Sequence, residues 1–117
     1  MSETTKIPQD QLSEYFETFT KRFLRDDAPE VVTVDVMAPD LGDQLAAAHA
    51  RLVGITYDRG TNALEFELAG GDHRVVAPKE VWTVQEDDGF LSAIEVVRAD
   101  GVREVATVTR NHARPRD

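Results

Sequence analysis

Apolar residues recur along this chain at two different periods. Leu12, Phe16, Phe19 and Phe23 are spaced to fall on one stripe of a helix, and Tyr15 and Leu24 widen that stripe. The pattern predicts a helix from about Pro8 to Arg25. Pro8 suits the first turn, where its missing N–H costs nothing, and Asp10 lies near the positive end of the helix dipole. Lys21, Arg22 and Arg25 stand at the opposite end, and Asp26, Asp27 and Pro29 stop the helix. A stripe of this kind covers one face or one mouth of a sheet ahead of lining a ligand site.

From Val31 onward the period becomes two. Val32, Val34 and Val36 alternate with Thr33, Asp35 and Met37, as in a strand with one buried face. Pro39, Asp40 and Gly42 mark Ala38 to Leu45 as a loop, and Gln44 to His49 has helical propensity without an apolar stripe. The reading there is a loop with one helical turn, running into a strand. Val53, Ile55 and Tyr57 form one alternating set and Leu64, Phe66 and Leu68 another, with the turn formers Asp58 to Asn62 between them, which predicts a β-hairpin. Gly70-Gly71-Asp72 makes the next turn, and His73 to Ala77 a short strand that Pro78 ends or exposes at an edge. Val81 to Gln85 carries the single tryptophan, Trp82. Asp-Gly pairs at 88–89 and 100–101 bracket a strand at Phe90 to Val97, and Val102 to Val108 is the last.

These elements predict an α+β fold: one N-terminal amphipathic helix packed on a curved antiparallel sheet or small barrel of about six strands in meander order. At 117 residues the chain is one domain, 1–117, with 1–6 and 110–117 as disordered polar tails. Charge adds a constraint. The formal net charge is −9, and its distribution is uneven: Met1 to Arg25 sums to zero, whereas Asp26 to Thr109 carries six basic residues against seventeen acidic ones. The strand-forming part is therefore acidic and repels a phosphate backbone, so nucleic-acid binding is not favoured. No apolar run approaches the roughly 18 residues of a membrane span, and no signal peptide is read, so the expectation is a cytoplasmic protein. With no cysteine, thiolate metal sites and a thiol nucleophile are excluded.

Three stretches carry a resemblance. Leu52-Val53-Gly54-Ile55-Thr56-Tyr57-Asp58, Pro78-Lys79-Glu80-Val81-Trp82 and Gly89 to Val96 leading to Asp100-Gly101, behind a helix led by Ile7-Pro8, resemble a family of small, mostly bacterial proteins known only as a domain of unknown function. The resemblance covers roughly Ile7 to Val108 and implies no activity, cofactor or catalytic residue.

The residues themselves carry little chemistry. His49, His73 and His112 lack an HxH or HExxH spacing, so no metal site and no cofactor are expected. His49 and His73, each near an arginine, are read first as surface histidines and second as a weak binding pair that would have to converge in space. Ser2, Ser13 and Ser92 lack a nucleophile elbow, and the carboxylates of Glu86-Asp87-Asp88 crowd a turn without EF-hand spacing. Trp82 is the remaining candidate. Its ring combines contact area with an N–H donor, so it suits a recognition surface, although packing against the helix stripe is the first expectation for a lone tryptophan. Three functional readings follow. The leading one is a non-catalytic module for self-association or a protein partner, acting through a sheet face or edge. The second is a small-molecule site between helix and sheet, where His73 or His49 meets carboxylates. The third is Sm-like RNA binding, suggested by element order alone and opposed by the acidic strands.

Overall fold

A computed structural model describes residues 2–24, 30–38 and 42–110. One helix packs on a single antiparallel sheet of eight strands. The strands are β1 (Glu3–Lys6), β2 (Glu30–Ala38), β3 (Gly42–Asp58), β4 (Ala63–Leu68), β5 (His73–Val76), β6 (Pro78–Gln85), β7 (Leu91–Arg98) and β8 (Arg103–Thr109). The helix, α1 (Leu12–Phe23), follows a 3-10 turn at Gln9–Gln11. The predicted stop at Asp26, Asp27 and Pro29 lies outside the described residues.

The sheet runs in the order β1-β6-β7-β8-β2-β3-β4-β5. Two meanders, β2 to β5 and β6 to β8, are thus joined by the pairing of β8 with β2, with Val34 opposite Ala106. The ladder does not close into a barrel: its outermost strands are β1 and β5. One end strand, β5, is nevertheless tied by the chain to β6, the strand next to the other end, because only Ala77 separates them. Ala77 adopts a left-handed φ of 51°. There its N–H donates to the Asn62 carbonyl at 2.9 Å and its own carbonyl accepts from the Ala99 N–H at 2.8 Å. Both backbone groups are satisfied at the bend, which holds an alanine in a conformation that residues with a Cβ disfavour.

The sheet has eight strands against about six expected, and two segments depart from the reading, one adding a strand and the other lengthening one. Glu3–Lys6, expected in a frayed tail, pairs with β6, Lys6 opposite Trp82, and the following Ile7 is buried and donates its N–H to the Val81 carbonyl. An apolar anchor just behind a polar segment fixes that segment. The second correction concerns the predicted loop and helical turn. Gly42 to Arg51 is strand, the first part of β3, laid against β2 with Gly42 opposite Ala38 and Ala47 opposite Val34. Cross-strand pairing overrides the helical propensity of its alanines. β5 does end before Pro78, at Val76, but Pro78 is not exposed at an edge: it opens β6 opposite Arg98 and is buried. The predicted hairpin is β3–β4, with Asp58 opposite Ala63.

The two faces of the sheet differ in kind. On one, Val81, Thr83, Ile94, Val96, Ala106, Val34 and Leu52 are buried, and α1 brings Leu12, Phe16 and Phe19 onto the same core. Helix and sheet are joined by paired hydroxyls. Thr20 Oγ1 accepts from the Ile55 N–H at 3.0 Å and donates to the Ile55 carbonyl at 3.1 Å. The Tyr15 hydroxyl meets the Thr83 hydroxyl at 3.0 Å. Gly54 makes this docking close: a Cβ there would stand 2.5 Å from Glu67 Oε1 and 3.3 Å from Thr20 Cγ2.

Candidate functional site

Trp82 lies on the face opposite the core, between buried Val81 and buried Thr83, and is half-buried. The expectation that it packs against the helix stripe is therefore corrected by strand phase: Val81 and Thr83 take the inward positions, which turns Trp82 outward. Its indole N–H donates to Glu80 Oε1 at 3.0 Å, and Lys6 Nζ stands 5.9 Å from the ring centroid. The Glu80 carboxyl, hydrogen-bonded by Trp82 and close to Lys6, is held below its ordinary value. Strand register places Trp82 in a row of outward positions running Lys6, Trp82, Glu95, Val105, Asp35, Leu45 across six strands. Neighbouring rows add Val84, Ala93, Val97 and Met37, each half-buried. Glu95 pairs with Arg103 at 3.3 Å within this face. The face therefore mixes a half-buried aromatic, aliphatic side chains and both signs of charge, and α1 covers the other side.

His73 and His49 are not brought together on a common carboxylate. His49 is exposed on β3, in the left-handed region at φ 49°, with its backbone N–H on Thr33 Oγ1 at 3.3 Å. His73, on β5, stacks on Phe66 and places Nε2 2.6 Å from Glu104 Oε1 of β8. Glu104 is only 3% exposed. Its second oxygen accepts from Arg98 Nη1 at 2.9 Å, and Arg98 Nη2 in turn donates to Asp100 Oδ2 at 2.6 Å. Burial pushes the Glu104 carboxyl up, but the hydrogen bonds from His73 and Arg98 outweigh it and hold the group below its ordinary value.

This cluster fastens the end strand β5 to β7 and β8. It has the histidine and carboxylate of a nucleophile-activating relay, but among the described residues no hydroxyl is hydrogen-bonded to His73, and both oxygens of Glu104 are engaged. Glu104 and Arg98 were not among the sequence candidates. One signal was present: Glu104 sits in the inward phase of β8 with Ala106 and Val108, and a carboxylate in an apolar phase demands a partner. Among the described residues no group of three or more His, Asp or Glu side chains is placed to hold a metal ion. No helix among them is long and apolar enough to cross a membrane.

The space directly between α1 and the sheet is filled by Leu12, Phe16 and Phe19. Beside the helix, toward the β6–β7 turn, a solvent-open cleft of about 430 Å³ is lined by Tyr15, Phe19, Arg22, Phe23, Gln85 and Leu91, among others. Burial raises the Tyr15 hydroxyl above its ordinary value. Across the turn, Arg110 lies over the Phe90 ring at 4.0 Å and holds both oxygens of Asp88, at 2.7 and 2.6 Å.

Comparison with known proteins agrees with the resemblance read from the sequence. Residues 3–117 match a family of unknown function, DUF5335. An uncharacterized protein of Aquifex aeolicus (strain VF5) is 32% identical over 107 residues, covering 90% of this chain and 91% of its own length. No solved structure matches.

Proposed function

The chain belongs to DUF5335, a family of unknown function, and we propose that it is a non-catalytic interaction module whose working surface is the outward face of the sheet around Trp82. One observation carries this reading: the outward row from Lys6 through Trp82, Glu95 and Val105 to Asp35 and Leu45 is left uncovered by the single helix. Half-buried aliphatic and aromatic side chains, ringed by charges of both signs, have the composition of a recognition surface with an apolar centre and a polar rim. The histidine–carboxylate cluster supports the same reading from the other direction, since its groups hold one another. The acidic strand region, with six basic residues against seventeen acidic ones from Asp26 to Thr109, favours no nucleic-acid partner.

A photo-crosslinking amino acid at position 82, with a control at exposed Thr18 on α1, tests the face. The expected result is a discrete crosslinked species from 82 and none from 18. Equal, diffuse crosslinking from both positions would remove the reading. A second reading, small-molecule binding, draws on the cleft beside α1. Its measure is a saturable change in Tyr15 and Phe19 resonances during a metabolite screen.

A further inference from the structure

The strand β3 is paired on one edge only over its first half. From Gly42 to Arg51 it lies against β2, and β4 joins its other edge only from Leu52 onward. Among the described residues, nothing is laddered to the outer edge of Gly42–Ala50. A row of unpaired N–H and C=O groups is a template for a further strand. We propose that the strand it takes is the same segment of a second copy of this chain, antiparallel about a two-fold axis at Leu45.

Three features of the segment favour its own copy. First, Leu45 is 60% exposed, the most exposed of the large hydrophobic side chains among the described residues. A register centred on it sets Leu45 directly opposite Leu45 of the partner, so each covers the other. Second, of Gly42 to Ala48, the residues that a register centred on Leu45 sets against each other, Asp43 alone is charged, in a chain of net charge −9. Two acidic copies repel least where both carry little charge. The sheet's end strands are protected by contrast: β1 carries Glu3 and Lys6, and β5 is four residues long with an exposed Arg74.

Third, β3 is irregular just beyond this point. The register against β2 shifts between Val34 and Asp35 and again between Val32 and Val34, which leaves extra residues on β3 at Ala46 and at Ala48–His49. Such bulges bend a strand out of its layer, so a ladder begun at Leu45 stops after a few residues. A short isologous ladder closes as a dimer and does not propagate into a filament. Leu45 also ends the outward row that starts at Lys6, so pairing would make that face continuous across both copies. This inference rests on the interaction-module reading and names one partner for it.

The chain has no cysteine, so Leu45→Cys introduces the single thiol. In the proposed register the two thiols face each other, and mild oxidation should link nearly all of the protein as a covalent dimer. Val76→Cys, at an exposed position on β5, should form no disulfide-linked dimer under the same conditions. Light scattering of the unmodified protein should show a mass approaching twice 13.0 kDa as concentration rises. Leu45→Lys, which opposes two ammonium groups and removes the leucine contact, should raise the dissociation constant about tenfold or more. Val76→Ala, at the exposed position on β5, should leave the dimer unchanged. A strict monomer at all concentrations, equal crosslinking of both cysteine variants, or a dimer lost with Trp82→Ala and kept with Leu45→Lys would each overturn the proposal. The first two leave the face reading to its own crosslinking test, and the third would keep that reading while moving the partner onto it.

Discussion

The inward and outward faces of the same strands solve the problem of polar groups in opposite ways. Inward, the two buried exceptions to the apolar pattern described above have partners: Thr83 has Tyr15, and Glu104 has both His73 and Arg98, whose own Nε alone is buried without one among the described residues. Outward, Trp82, Val84, Val97, Val105 and Met37 are apolar positions in a polar phase, and only part of their surface is covered. The lesson is that the two departures from alternation have different meanings. A polar residue in the inward phase has acquired a partner within the chain, whereas an apolar residue in the outward phase still has surface to give to a partner outside it.

Substitutions can break that contrast, and the largest effects belong to the inward face. Phe16→Ala should lower stability by about 4 kcal/mol in urea unfolding, since a fully buried aromatic ring leaves a cavity under the helix. Glu104→Ala should cost about 3 kcal/mol by the same measurement, because Arg98 and His73 lose the carboxylate they share. Acid should act on the same group. The folded Glu104 carboxyl titrates below its unfolded value, so in acid the unfolded chain takes up the proton first. Its stabilisation is therefore complete above the ordinary glutamate range and is lost as pH falls through the folded value. Glu104→Gln should flatten that acid-side slope in thermal melts recorded across pH.

Smaller effects test the seam and the outer face. Thr20→Val removes both hydrogen bonds to Ile55 and should cost about 2 kcal/mol, read as faster amide exchange at Ile55. Trp82→Ser should change unfolding free energy by less than about 1 kcal/mol, because the ring leaves no inward cavity. If Trp82→Ser instead proved as damaging as Phe16→Ala, the distinction between the two faces would fail.

Much of the fold was legible in the sequence, and the misses share a cause. Helix α1, the β3–β4 hairpin and the Asp-Gly turns are local features, written in spacing and turn residues a few positions apart. Glu3–Lys6 and Gly42–Arg51 are strands because of their pairing rather than their own pattern: β6, far along the chain, captures the first, and the neighbouring β2 captures the second. Neither segment alternates strongly enough to announce itself. The same holds for the candidate residues. Trp82 was visible as a type, but its direction depended on the phase of Val81 and Thr83. His73 was visible, whereas its carboxylate lies 31 positions away on β8, and only the contradiction of a glutamate among core residues pointed to it.

The pairing of β1 with β6 also sets an order of events during synthesis. Glu3 finds its place opposite Gln85, so β1 has no ladder partner until residues about eighty positions further along have been made. The helix behind it faces the same delay for Tyr15, whose hydroxyl partner is Thr83. β1 must therefore wait unpaired while the β2–β5 meander assembles, and it is laid down only when β6 appears, whereas α1 can already dock on β3 through Thr20 and Ile55. Pairings of such long sequence separation slow folding. A bulky fusion at the amino terminus would accordingly burden the last step of assembly more than the first.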